Sequence, residues 1–390
     1  MPLRFLTAGE SHGPALTVIL EGIPAGLALT AETIDHDLAR RQQGYGAGPR
    51  MKLETDRVRI LSGVMAGRTT GGPLALLIEN NDHERWRGRR VAPFTIPRPG
   101  HADLTGAVKY GYTDLRPALE RASARETAAR VAAGAVCRAL LKEFGISVGA
   151  YVAAVDGVEA SLESIRLEER IVRALDDKVH CPDPEASARI QAAIRQAMLD
   201  KDTLGGVIEA VALELPVGLG SFVQWDRRLD GRIGAAILSI QAMKGVEFGP
   251  AFENTRLPGT RTNDPIVLGE NGRLERPGLR SGGLEGGVTT GQPLLVRAAM
   301  KPIPTTLTPQ PSVDLVKGEA VQTQYERSDF CPVPRAVVVV EAMLAFVLAN
   351  ALLEKLGGDS LDEMRPRFES LRKARLEDLN LDGTEHLFWE

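Results

Sequence analysis

Apolar positions along the chain change period often enough to outline most of its elements. Residues 3–7 and 15–20 are short apolar runs of strand type, separated by Gly9-Glu10-Ser11-His12-Gly13-Pro14. Polar side chains between two glycines predict a tight loop that presents them outward. A helix capped near Thr30 follows, with Ile34 and Leu38 as its apolar stripe. The strongest helix signal comes later. Ser123 stands at an N-cap position, and Glu126 three residues on predicts a capping box. Behind it, Ala128, Val131, Ala132, Ala135, Val136, Ala139 and Leu140 form one apolar face that ends at Gly145 as the C′ residue. Alanine and valine dominate that face, so this helix can approach its neighbours closely.

Further along, residues 150–158 read as a strand, 161–175 and 184–199 as amphipathic helices, and 207–215 as a half-buried strand. Leu229, Ile233, Ala236, Ile237 and Ile240 define another helix, ending at Lys244-Gly245. Loops rich in glycine and arginine come next, then a strand closing at Lys301. Residues 336–356 are apolar nearly all round, which predicts a buried helix. From Gly358 onward the chain is charged and unpatterned, so residues 357–390 are expected to be a frayed or accessory tail on a catalytic unit of residues 1–356.

One pattern occurs twice. Gly67-Arg68-Thr69-Thr70-Gly71-Gly72-Pro73-Leu74 leads into a strand ending near Ile78, and Gly287-Val288-Thr289-Thr290-Gly291-Gln292-Pro293-Leu294 leads into another. Ser62-Gly63 precedes the first copy and Ser281-Gly282 the second, with one residue of difference in spacing. Two distant copies suit two similar sheet halves related by a pseudo-twofold axis; a solenoid needs a short period and more repeats. No shift in composition divides the chain. The expected class is a single large α+β domain in which sheets cover a central set of helices.

Composition narrows the function classes. The 390 residues are 43% hydrophobic and 25% charged with a formal net charge of −4, as in an ordinary globular protein. That balance leaves no electrostatic footprint for nucleic acid, despite Arg85, Arg87, Arg89 and Arg90. Three cysteines (Cys137, Cys181 and Cys331) lack metal-ligand spacing and favour a reducing compartment. No signal peptide is evident, and Glu341 interrupts the best candidate for a membrane span. A cytoplasmic protein with no membrane partner is expected.

The candidate chemistry sits in polar loops. Arg121 and Arg125 flank the start of the helix that follows Ser123, which fits either a site for an oxyanion or a capped core helix with solvated arginines. The run from Arg40 to Arg50 alternates glycine with other residues. Without a preceding strand or a following helix it is no dinucleotide fingerprint, and a basic loop over a substrate or a plain surface loop remain. Taken with His12, His101, Ser123, Lys301, Arg327 and Asp329, cationic and proton-transferring groups outnumber acids. Such a set suits a small polyanion and proton transfer near neutral pH.

Four stretches in order carry a family resemblance: Gly9-Glu10-Ser11-His12-Gly13, Arg98-Pro99-Gly100-His101-Ala102-Asp103, Ser123-Ala124-Arg125-Glu126-Thr127, and Arg327-Ser328-Asp329 leading to Glu341-Ala342-Met343-Leu344. From about Arg4 to about Leu356 the chain resembles the chorismate synthases, in their longer bacterial form. The resemblance implies a helical core between two antiparallel sheets, a homotetramer, and reduced FMN as cofactor. It implies elimination of phosphate from 5-enolpyruvylshikimate 3-phosphate to give chorismate, without net redox change. By the same resemblance His12, His101 and Asp329 are catalytic. Arg121, Ala122, Ser123, Gln241, Ala242, Gly286, Lys301, Pro302, Ile303, Pro304, Thr305 and Arg327 hold the flavin. Arg41, Ala47 and Arg50 face substrate or NADPH, the latter, or a separate flavin reductase, being a source of electrons. The family usually carries an arginine where this chain has Ala47.

Overall fold

The chain builds the same sheet twice. In the computed structural model, which describes residues 3–46, 55–326 and 329–388, β1 (Arg4–Ala8), β2 (Ala15–Glu21), α1 (Ala31–Gln42), β3 (Val58–Ser62) and β4 (Leu74–Glu79) come first. Their strands form an antiparallel sheet in the order β1-β2-β4-β3. Two short helices, α2 (Asp103–Tyr110) and α3 (Arg116–Arg121), lead into the long helix α4 (Thr127–Lys142). Next come β5 (Ser147–Val155), α5 (Leu167–Leu175), α6 (Pro184–Asp200), β6 (Gly206–Leu213), α7 (Leu229–Leu238), β7 (Met243–Phe248) and β8 (Leu294–Met300). The second sheet runs β7-β8-β6-β5, with the short strand Val158–Glu159 at its edge. Strand for strand, β1 to β4 correspond to β5 to β8 in order. Helices α8 (Val333–Leu356) and α9 (Leu361–Glu369) follow.

Matching hydrogen bonds fix the two threonine turns. Thr69 Oγ1 donates to the Pro24 carbonyl at 2.6 Å and accepts from Leu27 N at 3.0 Å. Thr289 Oγ1 donates to the Pro216 carbonyl at 2.6 Å and accepts from Leu219 N at 2.8 Å. A hydroxyl can do both at once, so each buried threonine is satisfied. Thr70 N donates to Gly63 O as Thr290 N does to Gly283 O, so Gly283, rather than Gly282, is the counterpart of Gly63. Both have positive φ, 85° and 86°, and a Cβ on either would strike backbone of the following strand.

Two long apolar helices each pack on one of the sheets. α4 packs on β2, β4 and β1, α8 on β5 and β6, and the two helices pack on each other. α1 lies against α4, and α7 against α8. The alanine-rich face of α4 is buried from Ala128 to Leu141, and α8 is buried on all sides, with Glu341 within it. By length and composition alone α8 could cross a membrane; here it is a core helix.

Several expectations change on inspection. Residues 207–215 read as half-buried, yet β6 is covered on both faces, because α5 lays Ala174 and its neighbours over Tyr151, Val211 and Leu213. The helix expected from residue 161 starts only at Leu167, since the Asp183 carboxylate takes the Ser161 N–H at 2.9 Å and holds that stretch outside. Residues 243–248 form β7 where a helix end followed by loops was expected. Ser123 caps by accepting from Arg125 N at 3.2 Å, and a 3-10 turn, Ala124–Glu126, precedes α4. Glu126 closes no capping box with it; its carboxylate takes Thr7, Arg130 and Gln241 instead. The tail is not frayed throughout. Ser360 caps α9 through Glu363 N, and Leu361 and Met364 are buried in the main core.

The α4–α8 contact is testable at Gly134. A Cβ there would lie 2.3 Å from Ala342 Cβ and 2.5 Å from its Cα. Gly134→Ala gains about 1 kcal/mol of helix propensity. Overpacking against backbone, which has no rotamer to turn aside, costs about 1–3 kcal/mol or more. The clash wins, so the urea midpoint should fall; a midpoint at or above the parent's would show the helices to be further apart.

Candidate active site

A cavity of about 610 Å³ opens where both halves of the chain meet. The β1–β2 loop brings Ser11 and His12 to it, the end of α1 Arg41, and the turn after β4 Asp82, Arg85, Trp86 and Arg89. The loop before α2 brings Arg98 and His101, and α3 with the 3-10 turn brings Arg116 and residues 122–125. From the second half come Gln241 and Ala242 of the α7–β7 link, Lys301 and Thr305 after β8, and Asp329 and Arg335 at the start of α8. Strand ends and loops supply these groups while the sheets and core helices hold them in place.

Each histidine is held at one ring nitrogen by a carboxylate. His12 Nδ1 lies 2.7 Å from Glu120 Oε1, and its ring meets Trp86 with centroids 4.7 Å apart. Burial raises the Glu120 carboxyl, but the bonds and charge of His12 outweigh it and hold the group below its ordinary value. His101 Nδ1 lies 2.6 Å from Asp103 Oδ1. Arg98 forks onto the same carboxylate at 2.8 and 3.0 Å, and its Nη2 stands 3.0 and 3.3 Å from the two His101 nitrogens. Asp103 is fully buried, which opposes ionisation; the bonds from His101 and Arg98 prevail and keep it well below the usual carboxylate range.

The deep arginines are paired with acids as well. Asp56 takes Arg41 Nη2 and Arg125 Nη1, both at 2.6 Å, with all three side chains nearly out of water. Burial pulls the Arg41 guanidinium down to about 10; Asp56 opposes the shift, and Arg335 and Arg125 add to it. Arg335 donates to Asp329. Lys301 Nζ reaches the carbonyls of Gly100 and Pro302 at 3.4 Å, and burial, with Lys244 nearby, lowers its proton affinity. Gln241 Nε2 donates to Glu126 at 3.2 Å, whereas its buried Oε1 has no hydrogen-bond partner among the described residues. Among the described residues no cluster of His, Cys, Asp or Glu suits a metal ion.

Of the residues singled out in the sequence, His12, His101, Asp329, Arg41, Ala122, Ser123, Gln241, Ala242, Lys301, Ile303, Pro304 and Thr305 line this one cavity. Three do not. Arg121 turns to Thr7, donating to its carbonyl and hydroxyl at 3.1 and 2.9 Å. Pro302 offers its carbonyl to Lys301 without lining the wall. Gly286 sits in the second threonine turn beside Phe222. Ala47, Arg50 and Arg327 lie outside the described residues. Sequence reasoning overlooked Asp56, Trp86, Glu120 and Arg335. Only Glu120, a short step before Ser123, had a local signal; Asp56 meets its arginines 15 and 69 residues away.

Comparison with known proteins agrees along nearly the whole chain. Residues 3–353 match the family described as chorismate synthase. The chorismate synthase of Chlorobaculum tepidum is 52% identical over 389 residues, covering 95% of this chain and 98% of the relative. That of Aquifex aeolicus is 51% identical over 386 residues, covering 94% and 96%. A solved chorismate synthase structure superposes with a TM-score of 0.78 at 45% identity, covering 95% of this chain and 97% of the other. With the sequence match, the shared fold and the cavity in agreement, the chain belongs to the chorismate synthase family.

Proposed function

We propose that the arginine-walled cavity binds reduced FMN beside 5-enolpyruvylshikimate 3-phosphate and eliminates its phosphate to leave chorismate. As a family member the chain is a carbon–oxygen lyase acting on a phosphate in the shikimate pathway. The observation that carries the proposal is two histidines, each anchored at Nδ1 to a carboxylate, on one cavity with a wall of guanidinium groups.

The residues present fit a flavin. Gln241 fixes its amide by donating to Glu126, which leaves Oε1 as a buried acceptor without a donor; a ring N–H would satisfy it. Ala122, Ser123, Ala242, Lys301 and residues 302–305 would complete the cradle, with Arg121, Gly286 and Arg327 assigned to it by resemblance alone. Reduced FMN held there would supply an electron-rich ring for the loss of phosphate and hydrogen.

The chain's own groups manage charge and protons. His101, with Arg98 against its ring, neutralises the departing phosphate. His12 would hydrogen-bond or protonate the bound reduced flavin, and Asp329, steadied by Arg335, would relay the proton of the departing C6 hydrogen through it. Arg41, and by resemblance Ala47 and Arg50, face substrate or NADPH; Arg89 lines the wall, has no ion pair among the described residues, and adds a cation for the same anion. We also read the fold as a pseudo-twofold sandwich of two sheets around α4 and α8, with residues 1–356 as the catalytic unit and 357–390 as an appendage that lends α9 to the core. The same reading makes the enzyme a cytoplasmic homotetramer whose flavin is reduced by NADPH or by a separate reductase.

Under strict anaerobiosis, chorismate should form with chemically reduced FMN and not with oxidised FMN alone. Equal rates in the two cases would sink the proposal. Replacing His101 by alanine should lower turnover on the order of a hundredfold or more, the usual contribution of a positioned acid or base. A folded His101→Ala enzyme with normal turnover would remove that residue from the mechanism.

A further inference from the structure

We propose that Glu120 is a positioning residue that fixes His12 as the Nδ1–H tautomer, so that the ring exchanges protons with a bound ligand at Nε2. The inference rests on the reading of this cavity as the reaction site and goes beyond it by naming what orients its first histidine.

One carboxylate grips His12 twice. Glu120 Oε2 accepts the His12 backbone N–H at 2.7 Å, and Oε1 stands 2.7 Å from Nδ1 of the ring. An ionised carboxylate can only accept, so a hydrogen bond to Nδ1 requires the proton to sit there. The depressed proton affinity of Glu120 agrees with its being ionised. Other contacts hold the loop against this clamp. Ser11 N donates to the Glu120 carbonyl, His83 Nδ1 donates to the His12 carbonyl at 3.0 Å, and Asn80 Nδ2 donates to the Glu10 and Gly13 carbonyls. Trp86 supports the ring face. Neither backbone nor ring can shift without breaking one of these bonds.

The second histidine is held differently. Asp103 also lies at Nδ1 of His101, but it shares its charge with Arg98, which forks onto both of its oxygens. Among the described residues no arginine forks onto Glu120; Arg116 acts on it only at a distance. Its interaction is therefore directed chiefly at His12, and its removal should be felt there.

Glutamine is the informative replacement because it keeps the shape and changes the donor count. His12 presents two N–H donors to Glu120, and an amide offers one acceptor oxygen and one donor nitrogen. If Oε1 of the glutamine keeps the backbone N–H, its NH₂ faces Nδ1 and drives the ring proton to Nε2. Glu120→Gln should thus invert the tautomer, and Glu120→Asp, which retains two acceptors, should keep it.

The test combines spectroscopy with turnover. The protein has six histidines, and in ¹⁵N-histidine-labelled protein the His12 signals are assigned by their loss in His12→Ala. Wild type should show a pyrrole-like Nδ1 and a pyridine-like Nε2 when neutral, and Glu120→Gln the reverse. In assays with reduced FMN, Glu120→Gln should lower kcat about ten- to a hundredfold, as loss of an orienting partner does elsewhere, with KM little changed. In a His12→Ala background it should cost nothing further. A neutral wild-type His12 protonated at Nε2 overturns the proposal even if Glu120→Gln fails to fold. So does a folded Glu120→Gln with unchanged tautomer and turnover, or one whose loss adds to that of His12→Ala. Normal turnover in His12→Ala would instead defeat the reading of the site and leave the tautomer result standing.

Discussion

An arginine leaves water only in the company of a carboxylate, and this constraint organises both the core and the cavity. Burying an unpaired charge costs several kcal/mol, so every deep guanidinium here is matched. Arg40 on α1 gives Glu341 on α8 two bonds at 2.8 and 2.9 Å and gives Asp37 a third. Arg138 on α4 reaches the same two acids. Three helices are tied at one point inside an otherwise apolar core. Near the cavity Asp56, Asp103 and Asp329 do the same for Arg41, Arg125, Arg98 and Arg335. Guanidinium groups fixed in this way need no ordering when an anionic ligand arrives, which removes one of the usual entropic costs of binding.

A second constraint is distance. α4 and α8 lie so close that a Cβ at position 134 would not fit beside that of Ala342, and small residues along α4 make that approach possible. The loops at the ends of both helices therefore converge, and the cavity forms where they do. Its chemistry is carried by segments without regular structure, and its precision by helices that contribute few of its side chains.

What could be read from the sequence followed the reach of each interaction. The apolar period of α4 and the unbroken run of α8 are local properties, and both helices lie close to where the pattern put them. The two threonine turns could be matched because their residue types recur in order, although the Thr69 and Thr289 hydroxyls bond to segments 42 to 73 residues away. β7 escaped notice because it is an edge strand with glycine, lysine and glutamate in it and a bulge at its start, and only its pairing with β8 makes it a strand. The site divides in the same way. His12 and His101 stand in glycine-bounded loops whose character is visible in a few residues. Asp56 is one acid among many until the fold brings two arginines to it, and Arg121 stood in the right motif yet points to Thr7.

The repetition of the sheet has a consequence for how the protein comes to exist. Each half leaves one long helix with an apolar face that only the other half can cover: α4 belongs to the first and α8 to the second. Leu3 N even donates to Asn350 Oδ1 at 3.0 Å, joining the two extremes of the core. A nascent chain that has completed α4 must therefore wait for α8, whose first residue is Val333. At synthesis rates of about 5–20 residues per second that interval lasts on the order of ten seconds or more, with the face of α4 uncovered. Completion of the core is thus a late event, since the side of α4 that meets α8 is covered only when α8 arrives.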